Sequence, residues 1–427
     1  MGSVIHVSDP VVPRGLRGAT VALQYRNFRL FWVAALLSNT GSWMQNAAIP
    51  FVVFDLTGRN GDVGATGFWQ YAPVMFMGVV GGSLADRFDR RRLLIAAQVV
   101  QSAFAVLLYL DVAAGTTTVA RISALAFCSG LAGGLNIPVW QSFVSQLVPR
   151  EVLANAITLN STQFNAARAL GPLVGFALAT TFGAASVFLL NAISYAAVLV
   201  ALPFIDVGRN WTRPEGPRSS ALIDLVEGAR YVWAHPGIRA CCVAIIAIAG
   251  LGSPLFSFLP ASYGQEVFDL SKTGIGLLAG AGGVGALLAA PFLLTTLAAI
   301  PRSRLLIGSM LCYAAGTVVV GLAPHVVVAI VGVALFGGSY LGIASAINTT
   351  IQLMAREEMR GKSIAFYIMC LTGSLPLGLF AWGRAADEWG VRATTVGAGV
   401  ALGLTTLALA GTGRFEAMGA DAPAPST

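Results

Sequence analysis

Twelve runs of apolar residues, each roughly 18 to 28 long, divide this chain, and no other feature narrows its possible folds as far. A run of that length matches the ~30 Å hydrocarbon core of a bilayer only as an α-helix, because in lipid every backbone N–H and C=O must be bonded within the segment. Membrane barrels instead show alternating segments of about 10 residues. The windows fall at 30–55, 63–85, 93–113, 120–147, 154–181 and 184–205, then at 238–261, 273–297, 304–322, 325–354, 361–383 and 390–412. Composition agrees: 56% of the residues are hydrophobic and 11% charged, and the mean hydropathy is +0.75, which would leave a soluble domain without polar cover. The pattern predicts an all-α membrane protein with twelve transmembrane helices in two six-helix bundles.

The bundles are expected at 30–205 and 238–412, with tails at 1–29 and 413–427 and a polar linker at 206–237. In the linker, Leu222, Leu225, Val226, Ala229, Val232 and Trp233 recur at helical spacing, and His235-Pro236-Gly237 ends the pattern. This predicts an amphipathic surface helix over 219–234. Placing both termini on one side puts 20 of the 26 basic residues on that side, which the positive-inside rule assigns to the cytoplasm. The first apolar run lacks the short core and cleavage site of a signal peptide, so it is expected to be retained. The halves also echo each other: the string Gln146 to Glu151 after span 4 parallels Gln352 to Glu357 after span 10, and such duplication marks many transporters.

After span 2 comes Gly82-Ser83-Leu84-Ala85-Asp86-Arg87-Phe88-Asp89-Arg90-Arg91-Arg92. It resembles the loop motif of the major facilitator superfamily, in which a glycine, an Asp-Arg pair and basic residues latch the cytoplasmic side closed. Gly82, Asp86, Arg87 and Arg90 match that motif, while Asp89 stands where the common form has a second glycine. The stretch Asn27 to Trp32, Gly41 to Asn46 and Asp55 to Gly58 is similar to the enterobactin-exporter-like, transmembrane secretion effector branch. In span 5, Gly171, Pro172 and Gly175 resemble the antiporter motif of drug exporters, with Ala167 and Phe176 in place of two of its glycines. A proton-coupled exporter of an amphipathic drug, siderophore or secondary metabolite, acting as a monomer by alternating access, is what these resemblances imply. The bacterial inner membrane is its implied location. Asp55 is the implied candidate for proton coupling, since Ser42 stands where related exporters carry an acid on span 1.

Polar groups inside apolar spans are costly unless they face protein or water, so they point to a substrate path. Ser38, Ser42 and Gln45 form one stripe on span 1, with Asn46 beside it; Asn136, Gln141, Asn165, Asn348 and Tyr367 add polar points on spans 4, 5, 10 and 11. For each amide an interhelical packing bond is an equal alternative. Arg168 lies roughly 21 Å into span 5 at the helical rise of 1.5 Å per residue, too deep to reach the cytoplasmic interface. It is read as attracting an anionic group of the substrate, as pairing with Asp55, or as a structural arginine bonded to backbone carbonyls.

Other chemistries are not encoded. The basic residues form short clusters between apolar runs rather than one polar face, which argues against nucleic acid. His6, His235 and His325 are scattered and the five cysteines lie in or beside apolar runs, so neither a metal set nor a disulfide set is visible. The glycine string at 280–285 has no preceding strand, and Arg356 stands where a phosphate-binding loop would need glycine, so no cofactor and no enzyme are expected. A lysophospholipid or other lipid transporter is the alternative within transport, and a non-transporting membrane sensor or scaffold the alternative outside it. Accessibility tags at the two termini should both report the cytoplasm; tags on opposite faces would refute the even number of crossings.

Overall fold

Lipid offers the backbone no outside hydrogen-bond partner, and the chain answers with long helices joined by short turns. The computed structural model describes residues 20–206, 221–294, 300–413, 415 and 418. The order is α1 (Arg26–Thr57), α2 (Asn60–Arg87), α3 (Arg90–Ala113), α4 (Val119–Val144), α5 (Leu153–Phe182), α6 (Ala185–Ala201), α7 (Ala221–Ala234), α8 (Pro236–Ala247), α9 (Leu255–Phe258), α10 (Lys272–Leu294), α11 (Arg302–Leu322), α12 (Val326–Met354), α13 (Glu357–Trp389) and α14 (Val391–Gly411). Among the described residues, nine helical stretches are long and apolar enough to cross a membrane: α3, α4, α6, the α8–α9 stretch and α10 to α14. Helices α1, α2 and α5 are as long, at 32, 28 and 30 residues, and carry more polar side chains.

Local chemistry sets the helix ends. Gly58, at φ +63°, closes α1 in the left-handed conformation that a Cβ disfavours. Asp89 opens α3, its carboxylate accepting the Arg92 N–H at 2.9 Å. The residue that breaks the loop pattern is therefore an N-cap. The seventh apolar window is not one regular helix: wide π-type segments, five residues at Ile248–Gly252 and nine at Leu259–Val267, flank α9. Pro254 and Pro260 each lack a helical donor, which loosens the ladder there. Helical backbone continues past the predicted end at 261 because Ser262 bonds Asn60 and the Gln265 side chain donates to the Phe51 carbonyl at 2.9 Å.

The first six helices meet the later ones along two seams, α2 on α13 and α5 on α10. Between apolar helices in lipid there is no hydrophobic drive, so close backbone approach and dispersion must hold them. Glycine permits that approach. A Cβ on Gly383 would lie 2.5 Å from the Asn60 carbonyl, one on Gly283 2.5 Å from the Ala169 backbone, and one on Gly64 closer still to the Leu379 carbonyl.

Several hydrogen bonds and an ion pair between described residues of the two halves lie at the end that holds the Gly58 turn. There the Asp387 carboxylate of α13 accepts the N–H groups of Asn60 at 2.7 Å and Gly61 at 3.0 Å, capping α2 from across the seam. Arg59 stands 3.9 Å from the same carboxylate, and Lys272 donates to the Ala179 carbonyl at 3.2 Å. At the opposite end, α7 lies on α13: the Tyr231 hydroxyl accepts the Arg356 N–H at 3.1 Å, and Lys362 pairs with Asp224 at 2.7 Å and with Glu227. Val232 is buried beneath α7, while Ile223, Val226 and Trp233 stay exposed on it.

If backbone contact closes the Gly58 end, Gly64→Leu should hold that end apart. In a cysteine-free background, a cysteine at Ser262, fully buried here, should resist an impermeant thiol reagent when Gly64 is present and react in Gly64→Leu. Equal protection in both would mean that the glycine contact does not hold the seam.

Candidate functional site

Polar side chains at helical spacing on α1 place a polar face at the middle of the bundle. Ser38 and Gln45 are 3% and 4% exposed. The Ser38 hydroxyl faces the Gln98 side-chain oxygen at 3.5 Å, and the Ser42 hydroxyl donates to the Ser38 carbonyl at 3.0 Å while meeting the Tyr195 hydroxyl at 3.1 Å. Gln45 accepts from Asn191 at 2.8 Å, and Asn46 accepts from Gln70 at 2.9 Å. Each of these amides makes an interhelical bond, and the same residues line a cavity of about 520 Å³.

The cavity is two-sided in chemistry. From the first half come Ser38, Asn39, Ser42, Gln45, Asn46, Gln70, Gln98, Gln101, Asn136, Arg168 and Tyr195, together with Trp43, Trp140 and Phe164. The second half supplies Phe256, Tyr340, Leu371, Leu375 and Leu379, with Ser253, Ser257 and Thr372. One wall is hydrogen-bonding and the other mainly apolar, which suits an amphipathic guest. Gln70, Gln98, Gln101 and Tyr195 escaped the sequence reading, although an amide in mid-span was the signal used for α1 and applies to them equally.

Arg168 is the one charged side chain in the described lining. It is 8% exposed, and its Nε and Nη2 have no hydrogen-bond partner. Its guanidinium lies 5.6 Å from the Phe256 ring centre and 5.7 Å from that of Tyr340. Each ring face offers about 0.5–2 kcal/mol, against several kcal/mol for withdrawing an ion from water. The rings alone do not offset that cost. Four residues on, Pro172 has no N–H to give the Arg168 carbonyl, so the backbone here is under-bonded as well.

Several expected residues lie elsewhere. Asp55 is exposed at the end of α1, outside the cavity lining, and is not among the described partners of Arg168. Asp111, the other acid near an outer helix end, pairs with Arg121 at 2.8 Å. Gln141 is exposed, since five positions on from Asn136 a helical residue sits about 140° round the axis. Asn165 and Asn348 fold back onto the carbonyls of Ser161 and Ala344, at 2.9 and 3.0 Å, as short polar side chains in helices do. Tyr367 is buried in the core of the second half, off the cavity. Asn136 does line it, with a buried side-chain oxygen that has no partner.

The motif residues divide similarly. A Cβ on Gly171 would lie 2.5 Å from that of Trp43, and one on Gly175 3.1 Å from Met44, so both seat α5 against α1. The Pro172 carbonyl faces Gly276 of α10 at 2.9 Å from its notional Cβ, putting the motif beside the seam between halves. Gly82 of the loop motif has nothing described within 4 Å of its notional Cβ; Gly81 makes the close helix contact, 2.8 Å from the Leu135 carbonyl. A helix turns about 100° per residue, so neighbouring glycines face different helices. Arg90 donates to the Ser142 carbonyl at 3.3 Å. The side chains of Asp86 and Arg87 lie outside the described residues, as do residues 1–19 and 207–220 and most of the C-terminal tail.

Known proteins share both sequence and architecture with this chain. The transmembrane secretion effector family matches it over residues 18–426. The multidrug efflux pump Tap of Mycobacterium tuberculosis is 24% identical over 386 residues, covering 86% of this chain and 88% of the pump. The staphyloferrin A transporter of Staphylococcus aureus is 23% identical over 374 residues, covering 85% of this chain and 90% of that one. Among solved structures, a bacterial homologue of the human lysosomal transporter Spinster, inward-facing and unoccupied, superposes with a TM-score of 0.71 at 16% identity over 94% of this chain and 99% of that one. A D-xylose–proton symporter gives 0.70 at 16% identity, over 89% and 97%. The chain is a multi-pass membrane transporter rather than an enzyme, and it belongs to the transmembrane secretion effector family of the major facilitator superfamily.

Proposed function

We propose that this protein exports amphipathic small molecules across the bacterial cytoplasmic membrane by alternating access. The observation that carries the reading is a central cavity walled by both halves, with described hydrogen bonds joining them at one end. By the distribution of basic residues, that end faces outward. Rocking of the halves about the cavity would break the Asp387 cap on α2 and part the glycine contacts, opening the cavity to the outside. The names of the relatives support the direction, since one is an efflux pump. The polar first-half wall and the aromatic second-half wall support the amphipathic class of guest.

Among the described residues no carboxylate lines the cavity. A proton carrier at the site of substrate binding is therefore not part of the proposal.

A lockable seam tests the cycle. A Cβ on Gly61 would lie 2.6 Å from an Asp387 carboxylate oxygen, so cysteines at both positions are close enough to be bridged. In a background without the five native cysteines, oxidising Gly61→Cys/Asp387→Cys should abolish export of an amphipathic fluorescent dye from loaded cells, and reductant should restore it. Export unaffected by a complete cross-link would refute alternating access through this seam.

A further inference from the structure

We propose that the centre of the cavity is an oxyanion site. Arg168 binds the carboxylate or phosphate of the guest, and the apolar body of the same guest lies on Phe256, Tyr340 and Trp43. This deepens the export reading and rests on it for the statement that the guest is carried. The binding claim stands on the side chains alone.

Three observations converge. Arg168 is more than nine-tenths buried, faces the cavity, and leaves Nε and Nη2 without partners. Those two nitrogens lie along one edge of the planar guanidinium, the edge that meets two oxygens of a carboxylate or phosphate side by side. The options that would have made the arginine structural are not taken up, because neither a described acid nor a backbone carbonyl occupies that edge. The rings of Phe256 and Tyr340 flank the cation at 5.6 and 5.7 Å and give apolar surface beside it; Nε and Nη2 are themselves enclosed by protein, so a guest oxygen reaches them only as the side chain turns toward the cavity. Asn136 also lines the cavity, and its enclosed side-chain oxygen has no partner, which leaves an acceptor that a rotated amide could offer to a hydroxyl or amide N–H on the guest. A cationic guest would meet a like charge and no described acid to compensate it.

Trp43 and Trp140 line the cavity and serve as reporters. In detergent-solubilised full-length protein, energy transfer from tryptophan should report binding of 1-pyrenebutyrate in preference to its neutral amide and its trimethylammonium analogue. Arg168→Gln should weaken pyrenebutyrate by about 10- to 100-fold, the loss of one charge-assisted hydrogen-bonded contact. It should weaken the amide far less, an unaltered thermal unfolding profile shows that the variant is folded, and Arg168→Lys should fall between. The ranking in the unmodified protein is decisive without any variant: amide or ammonium binding as tightly as carboxylate would overturn the site, as would Arg168→Gln binding pyrenebutyrate at full strength. Competition by lysophosphatidylglycerol but not by free aromatic carboxylates would assign the oxyanion to a lipid headgroup, and the reverse to a soluble metabolite. A carboxylate preference in binding without transport in proteoliposomes would keep the site and remove the exporter; transport of a cation with no carboxylate preference would do the opposite.

Discussion

Arg168 sits beside the central cavity between the rings of Phe256 and Tyr340, and the medium around it makes an ion expensive to keep. Desolvating a guanidinium costs several kcal/mol, and two aromatic faces return only part of that. The helix around it is arranged accordingly. Gly171 and Gly175 draw α5 onto α1, and Pro172 interrupts the ladder four residues beyond the arginine. The seam with α10 then closes over the next turn. The cation is thus fixed in place and left with an unfilled edge, while the amides of α1, α2, α3 and α6 around it satisfy one another. A finished polar network thus surrounds a charge whose Nε and Nη2 have no partner.

The same economy appears where the halves meet. Contacts that rely on glycine and on a backbone-capping carboxylate are short-ranged and directional, so they are made fully or not at all. The seam can therefore open without dragging large side chains through one another. The exposed Arg59 adds little to the Asp387 cap, whose strength comes from two unpaired N–H groups at the start of a helix. A small device of this kind would suit an interface that separates and re-forms.

Much of the fold was readable beforehand, because lipid leaves so few choices. The apolar runs located the helices to within a few residues, and the amphipathic linker pattern fell on α7. The polar stripe on α1 did line the cavity, and Arg168 did face inward. What failed depends on rotation about a helix axis or on a partner distant in sequence. Gln141 and Gly82 each carried the right chemistry on the wrong face. Asn165 and Asn348 met their own backbone first. Asp387 gave no signal at all, since an acid near the end of a span acquires meaning only when the start of α2 is brought against it.

The described cavity carries a single positive charge and no acid, and this bears on what drives the protein. A carrier's own fixed charges return with each cycle, so the electrical work of a turnover is set by whatever it carries alone. For a monoanion leaving a cell that is negative inside, that work is favourable by about 2.3 kcal/mol per 100 mV. The membrane voltage would then act as the motor, with no need for a second ion to be exchanged.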